Sequence, residues 1–347
     1  MSYTNGLDKP TDYFNTVLYT GNGSSQTITG VGFQADFIWF KERSSAGEHK
    51  LNNSVLGNLL YLVSNSTAGD DTTGSGIQSY NSDGYAVGDA SNINDNTETY
   101  VTWNWLAGGS ASSNSDGSIT SSVSANTTSG FSIVSYTGNG TAGATVGHGL
   151  GSALDMYIIK RRSATEHWQV YHSGNTSAPE TDYLQLSTNE ATVDATTRWN
   201  DTAPTSSVFS VGNHASVNGS SDTYIAYCFA EKKGFSRFGS YVGNGSSDGS
   251  YIHLGFKPAF VMVKRTDSAN SWIIMDNKRT TFNPMGEELK AEVSDAGNDA
   301  TRWDQLSNGF KLRNAGGAVN ASGGSYIYMC FSENPFVTST GIPTTAR

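Results

Sequence analysis

Charge, cysteine and proline are all scarce in this sequence. Charged residues fill 15% of its 347 positions, well below the usual quarter. Lys and Arg total 21 against 31 Asp and Glu, for a net charge of −10. A chain so poor in cations lacks the basic stripe that neutralises phosphates, so nucleic acid is not an expected partner. Two cysteines, Cys228 and Cys330, are too few for a disulfide scaffold. Each sits in an alternating apolar run, "YIAYCF" or "YIYMCF", where a free thiol serves as a small buried hydrophobe. No run approaches the roughly 18 apolar residues of a membrane-spanning helix, so membrane insertion is not expected. The opening "MSYTNGLDKP" has no apolar core, so no signal peptide is expected and release from a cell would be by lysis. Capped helical periodicity is also missing. The one stretch that could hold a short helical turn is "FNPMGEELKAEVSD", Phe282–Asp295.

What is present points to strands. Gly numbers 39, aromatics make up 11%, and Ser, Thr and Asn are common. Disorder would need fewer aromatics and more charge. Gly-rich, aromatic-bearing chains of low charge suit β-sandwiches and barrels.

The chain also repeats. "YTGNG" occurs at Tyr19–Gly23 and Tyr136–Gly140, and "YVGNG" at Tyr241–Gly245. After each comes an apolar strand closing on lysine: "GFQADFIWFK" to Lys41, "GLGSALDMYIIK" to Lys160 and "GFKPAFVMVK" to Lys264. His49, Trp168 and Trp272 stand at matching distances beyond those lysines. Then follow Tyr85, Phe209 or Phe310, an asparagine (Asn94, Asn218, Asn320), and a tyrosine opening the last strand (Tyr100, Tyr224, Tyr326). Landmarks in constant order mark repeated architecture. The expected fold is all-β: three homologous antiparallel β-sandwich units in tandem, jelly-roll or lectin-like, spanning 14–109, 130–234 and 235–336. The second and third are the more alike, sharing "TRW" at Thr197–Trp199 and Thr301–Trp303. Residues 1–13 read as an arm, Ser110–Ser129 as a Ser/Thr/Asn linker, and 337–347 as a polar tail.

A glycine-rich pentamer can cradle a phosphate, but that needs a following Lys-Ser/Thr and a helix. None of the three copies has either, so the pentamer reads as a turn that uses the φ freedom of Gly and Asn. Nor does the chain carry HExxH or GxSxG, and no catalytic residue is assigned. Glu231 and Glu333 occupy equivalent places and read as structural acids, with Lys41, Lys160 and Lys264 as candidate ion partners. The Asp/Asn-rich turns "STAGDDTTGSG", "NINDNTETY" and "SDAGNDATRW" could offer oxygens to Ca²⁺, though none matches a defined loop. Aromatics that the repeats do not share, Trp39, Trp103, Trp105 and Tyr171, are the candidates for stacking against a glycan.

"DYFNTVLYTGNG", "VGFQADFIWFKER", "TYVTWNWLAGG", "GFKPAFVMVKR" and "YIYMCFSENPF" resemble a repeat in virion proteins of tailed bacteriophages, especially marine and cyanobacterial ones. The likeness covers about 11–347. It implies a structural component of the virion surface, a fibre, appendage or head decoration, made in the bacterial cytoplasm. Its partners would be other virion proteins and further copies of itself, a trimer being favoured. It supplies no catalytic residues, and no enzyme is expected. The alternative is an array of carbohydrate-binding modules engaging host-surface glycans.

Overall fold

The computed structural model describes residues 6–71 and 76–345. Its strand ladders are antiparallel. The N-terminal stretch forms β1 (Phe14–Thr20), β2 (Gln26–Ile28), β3 (Phe37–Glu42), β4 (Lys50–Asn53), β5 (Gly57–Val63), β6 (Ile77–Asn81), β7 (Gly84–Val87) and β8 (Thr99–Trp105). The middle stretch forms β9 (Ser112–Asn114), β10 (Ser121–Asn126), β11 (Phe131–Thr137), β12 (Ala144–Gly147), β13 (Met156–Arg161), β14 (Gln169–His172), β15 (Asp182–Gln185), β16 (Val193–Asp194), β17 (Val208–Val211) and β18 (Thr223–Phe229). It also holds two single-turn helices, α1 (Thr196–Trp199) and α2 (Ala215–Asn218). The C-terminal stretch forms β19 (Ser236–Val242), β20 (Tyr251–His253), β21 (Phe256–Arg265), β22 (Ile273–Asp276), β23 (Glu287–Lys290), β24 (Asn298–Asp299), β25 (Trp303–Leu306), β26 (Gly309–Leu312) and β27 (Ser325–Pro335).

One strand order occurs three times. The large sheets run β1-β8-β3-β4-β5, then β11-β18-β13-β14-β15, then β19-β27-β21-β22-β23. Smaller sheets, β2-β7-β6, β12-β17 and β20-β26-β25, accompany them. The lysine-ending strands are apolar on both faces because both are buried. In β3, Phe37 and Trp39 join one cluster while Ile38 and Phe40 join another. Met156 and Ile158 part in the same way from Tyr157 and Ile159 in β13. In β21, Phe260 and Met262 part from Val261 and Val263. Period-two alternation thus sorts each strand between a local cluster and a common one.

The common cluster draws on all three stretches, so they are not separate beads. Trp103 and Trp105, Tyr227 and Phe229, and Met329 and Phe331 all belong to it. Trp105 lies 5.1 Å from Phe37, 6.4 Å from Phe131 and 5.5 Å from Phe331, ring centre to ring centre.

Hydrogen bonds close the three stretches into a cycle. The N-terminal stretch reaches the C-terminal one through Gly47 N to Ser294 O (2.9 Å), and Gly297 N returns to Arg43 O (3.0 Å). The middle stretch reaches the N-terminal one through Glu166 N to Thr67 O (2.8 Å), and Asp70 N returns to Arg162 O (2.9 Å). The C-terminal stretch reaches the middle one through Asn270 N to Asn189 O (2.8 Å), and Thr192 N returns to Thr266 O (2.9 Å). Two of these seams add an arginine–carboxylate fork: Arg43 on Glu287 at 2.8 and 2.7 Å, and Arg162 on Asp70 at 3.0 and 2.7 Å.

Two expectations from composition fail. Residues 110–129 are not a free linker, because β10 pairs along β11 and β9 pairs along β10. Small serines suit the tight contact: Ser121 Oγ donates to Gly147 O (3.0 Å) and Ser124 Oγ to Gly109 O (2.7 Å). Phe282–Asp295 holds no helix; its ordered part is β23, paired with β22. The ends are tied in as well. Leu7 is buried in the common cluster, Ser339 N donates to Asp8 Oδ1 (2.7 Å), and Thr344 N donates to Phe336 O (3.0 Å).

Candidate functional site

The glycine pentamers are latched turns. Asn94, Asn218 and Asn320 are fully buried. Asn218 Oδ1 accepts from Asn139 N (2.9 Å), while its Nδ2 donates to Thr141 O and Gly212 O (both 2.9 Å). Asn320 repeats this with Asn244 N (2.9 Å) and Ser246 O (2.8 Å), and Asn94 with Asn22 N (3.0 Å). The last glycines, Gly23, Gly140 and Gly245, have φ of +65°, +72° and +66°, the left-handed region that disfavours a Cβ. In each pentamer the asparagine N–H is thus spent on an internal carboxamide and the last glycine N–H on the backbone carbonyl of the same buried asparagine. The tyrosine before each turn stacks on the tyrosine of the last strand, with 5.0 Å between ring centres in all three pairs.

The recurrent lysines do not pair with Glu231 or Glu333. Lys41, Lys160 and Lys264 are fully buried at the seams. Lys160 Nζ donates to Thr67 O (2.8 Å) of the N-terminal stretch and to Glu166 O (2.7 Å). Lys41 Nζ donates to Ser294 O (3.1 Å) and Glu42 O (2.6 Å). Lys264 Nζ donates to Asn189 O (3.2 Å) and Arg265 O (2.6 Å). Burial outweighs the nearby carboxylates and lowers each ammonium to about 8. Glu231 instead lies 4.0 Å from Arg237, and Glu333 lies 3.5 Å from Lys257.

The four aromatics expected to stack on sugar are core residues. Trp39, Trp103 and Trp105 lie in the common cluster and Tyr171 in the middle stretch's own cluster, none more than 3% exposed. Their polar atoms face inward too: Trp39 Nε1 donates to His49 Nδ1 (2.8 Å) and Trp103 Nε1 to Asp276 Oδ2 (3.0 Å). A glycan would have to open the core to reach them.

Cys228 and Cys330 are free and buried, and burial pushes both thiols up. Among the described residues, no group of three or more His, Cys, Asp or Glu side chains is placed to hold a metal ion. Part of the first acidic turn, 72–75, lies outside those residues. Asp70 of that turn is engaged by Arg162.

Two grooves flank the outer strand β19. One, of about 330 Å³, is lined by Glu231, Lys233, Arg237, His253, Leu254 and Phe336, among others. It has an apolar floor and a mixed-charge rim. Burial raises the Glu231 carboxyl, whose Oε2 accepts from Phe238 N at 3.4 Å. The other groove, of about 360 Å³, lies between the middle and C-terminal stretches and is lined by Asn175, Thr176, Ser240, Tyr241, Thr266 and Tyr326, among others. Asn175 is 6% exposed; its Oδ1 accepts from Thr192 Oγ1 (2.7 Å), and its Nδ2 is buried without a partner. No sequence reasoning singled out either groove. Arg237 and Asn175 are polar residues whose identities the repeats do not share, so only the pairing of strands brings them to a wall.

No curated protein and no solved structure matches this chain. A family model does, over residues 9–335, so the chain belongs to the family described as a domain of unknown function (DUF7483).

Proposed function

We propose that the protein is an architectural component of a tailed-phage virion surface, acting by assembly rather than by catalysis. In this reading it is three homologous sandwich units folded into one closed body, in a fibre, an appendage or a head decoration. The observation that carries it is the cycle of buried lysines. Lys41, Lys160 and Lys264 each fasten one stretch to the next through backbone carbonyls. The buried asparagines Asn94, Asn218 and Asn320 likewise latch the three turns, which suits a stiff part. Partners in this reading are other virion proteins and further copies of the chain, a trimer being favoured. Mass spectrometry and antibody labelling of purified particles test it: the protein is expected at a fixed copy number on the particle exterior, and its absence from particles refutes the proposal.

A second reading, attachment to a host-surface glycan, is favoured by the groove at Asn175, Ser240 and Tyr241. Its volume falls in the range of small-ligand sites, roughly 300–1,000 Å³, and its walls carry the hydroxyls and amide that sugars bond. A glycan array tests it. Binding is expected to fall with Ser240→Trp, which crowds the groove from an exposed position, and to be indifferent to Trp39→Phe. Binding unaffected by Ser240→Trp would refute this site.

A further inference from the structure

The groove of about 330 Å³ beside β19 corresponds to a place that the middle stretch fills with its own chain. The ladders give the correspondence. Val146 pairs with Phe209 and Ile252 with Phe310, so His253, Leu254 and Gly255 stand where Gly147, His148 and Gly149 stand. Phe131 pairs with Phe229 and Ser236 with Phe331, so Arg237 stands where Ser132 stands. In the middle stretch β10 covers this face, with Ala125 opposite Ser132. A methyl placed on Gly149 would lie 3.2 Å from both Ala125 Cβ and Val123 Cγ1. One placed on Gly255 would meet only His253 Nε2, at 3.8 Å. The connection Ala230–Phe235 is too short to supply a covering strand, and among the described residues β19 is the outer strand of its sheet.

We infer that β19 accepts an extended strand from another polypeptide, seated as β10 is seated on β11. Main-chain bonds to an open sheet edge would give affinity, and pockets for alternate side chains would give selectivity. The lining sets the chemistry of the incoming strand. A small aliphatic residue fits where Val123 sits in the filled copy. Two residues on, at the Ala125 position, Arg237 replaces Ser132, and a carboxylate there pairs across the strands. Lys233 adds a second cation to the rim, with Glu231 as its one acid. Glu231 also occupies the edge itself, since its Oε2 takes the Phe238 N–H at 3.4 Å. A charged side chain on an open edge keeps casual pairing away, and the incoming strand replaces it. This docking does not depend on where the protein resides, so absence from virions would leave it standing.

The probe is a labelled synthetic peptide of residues 119–126 carrying Ala125→Asp, titrated into the intact protein. Saturable binding is expected, with hydrogen-exchange protection gained at Phe238 and Ser240. Glu231→Ala is expected to tighten binding about two- to fivefold, the scale of a part-exposed polar contact. Arg237→Ser is expected to erase the preference for the Asp peptide over its Ala parent. His253→Trp, an exposed change at the rim, is expected to weaken both peptides. No saturation at millimolar peptide even with Glu231→Ala would overturn the inference. So would protection lying outside 231–255, for example in β11 through displacement of the native β10.

Discussion

Lys160→Met probes the seams most directly. Methionine keeps the length and apolar stem of the side chain while removing the ammonium that bonds Thr67 O and Glu166 O. The native lysine titrates at about 8, whereas an unfolded lysine titrates near 10.4. Between those values the unfolded chain holds a proton that the native chain has released, so stability rises with pH across that window. At pH 7 the native state carries the full cost of the buried charge, about 3 kcal/mol, and by pH 9.5 about 1 kcal/mol remains. Wild type should therefore gain about 2 kcal/mol on the methionine variant between pH 7 and 9.5. With about 2.1 cal/mol/K of unfolding entropy per residue, that is about 3 °C in Tm. Tyrosines raised by burial, such as Tyr136 and Tyr224, titrate alike in both proteins and cancel in the difference. The assay is urea and thermal unfolding followed by tryptophan fluorescence at pH 7, 8, 9 and 9.5. A wild-type stability that, relative to the methionine variant, stays constant or falls as pH rises refutes the reasoning, because it means the carbonyls replace water fully and the lysine keeps its ordinary affinity for protons.

Asn218→Ala removes the latch of the middle turn and should cost about 2–4 kcal/mol in urea unfolding, from several buried bonds at about 1 kcal/mol each plus the orphaned groups. Asn139→Ala, on the exposed side of the same turn, should cost less than half as much. Trp105→Ala should cost about 3–5 kcal/mol, and because its ring touches all three stretches, calorimetry should still show a single transition; a separately melting third of the chain would contradict the common core. Proteinase K, which needs no basic residue, should leave Ser112–Asn126 uncut in the native protein, and early cleavage there would contradict the pairing of β10 with β11.

Much of the fold was legible because its signals are local. Recurring Gly, Asn and Tyr landmarks located the turns, and apolar runs ending in lysine located the strands buried on both faces. The contents of the second face were not legible. A run such as "DFIWFK" is the same whether its far side meets another sheet of its own sandwich or the centre of a closed body. The lysines misled for a related reason. Recurrence next to an acid in a neighbouring strand suggests an ion pair, but the partners are backbone carbonyls, one of another stretch and one of the lysine's own, and carbonyls leave no trace in a sequence. Residues 110–129 misled through composition. Serine reads as linker, yet at a close strand contact a small hydroxyl fits where a larger residue would clash.

The aromatics that differ between the repeats show where the comparison of copies changes meaning. At a surface, a residue present in one copy and missing from the others suggests a task peculiar to that copy. Trp105, Phe229 and Phe331 occupy equivalent places, but they are also neighbours, with Trp105 5.5 Å and Phe229 6.0 Å from Phe331 between ring centres. Three equivalent positions that meet must interdigitate to reach interior packing density, and three identical large rings in near-symmetric places compete for the same space. Difference between copies is then what a shared centre demands. Trp103 lies 5.5 Å from Phe260, ring centre to ring centre, and the smaller Met329, at the equivalent position of the C-terminal stretch, belongs to the same cluster. Exchanging them in Trp103→Met/Met329→Trp tests this. If the centre tolerates any arrangement of equal total volume, the double variant should lose less than about 1.5 kcal/mol. If each copy's residue is fitted to its particular neighbours, the loss should approach that of a cavity and an overpacked site together, about 3 kcal/mol or more. Trp103 also donates to Asp276, so the second outcome is expected, and near-neutrality would return the unshared tryptophans to the status of replaceable filler.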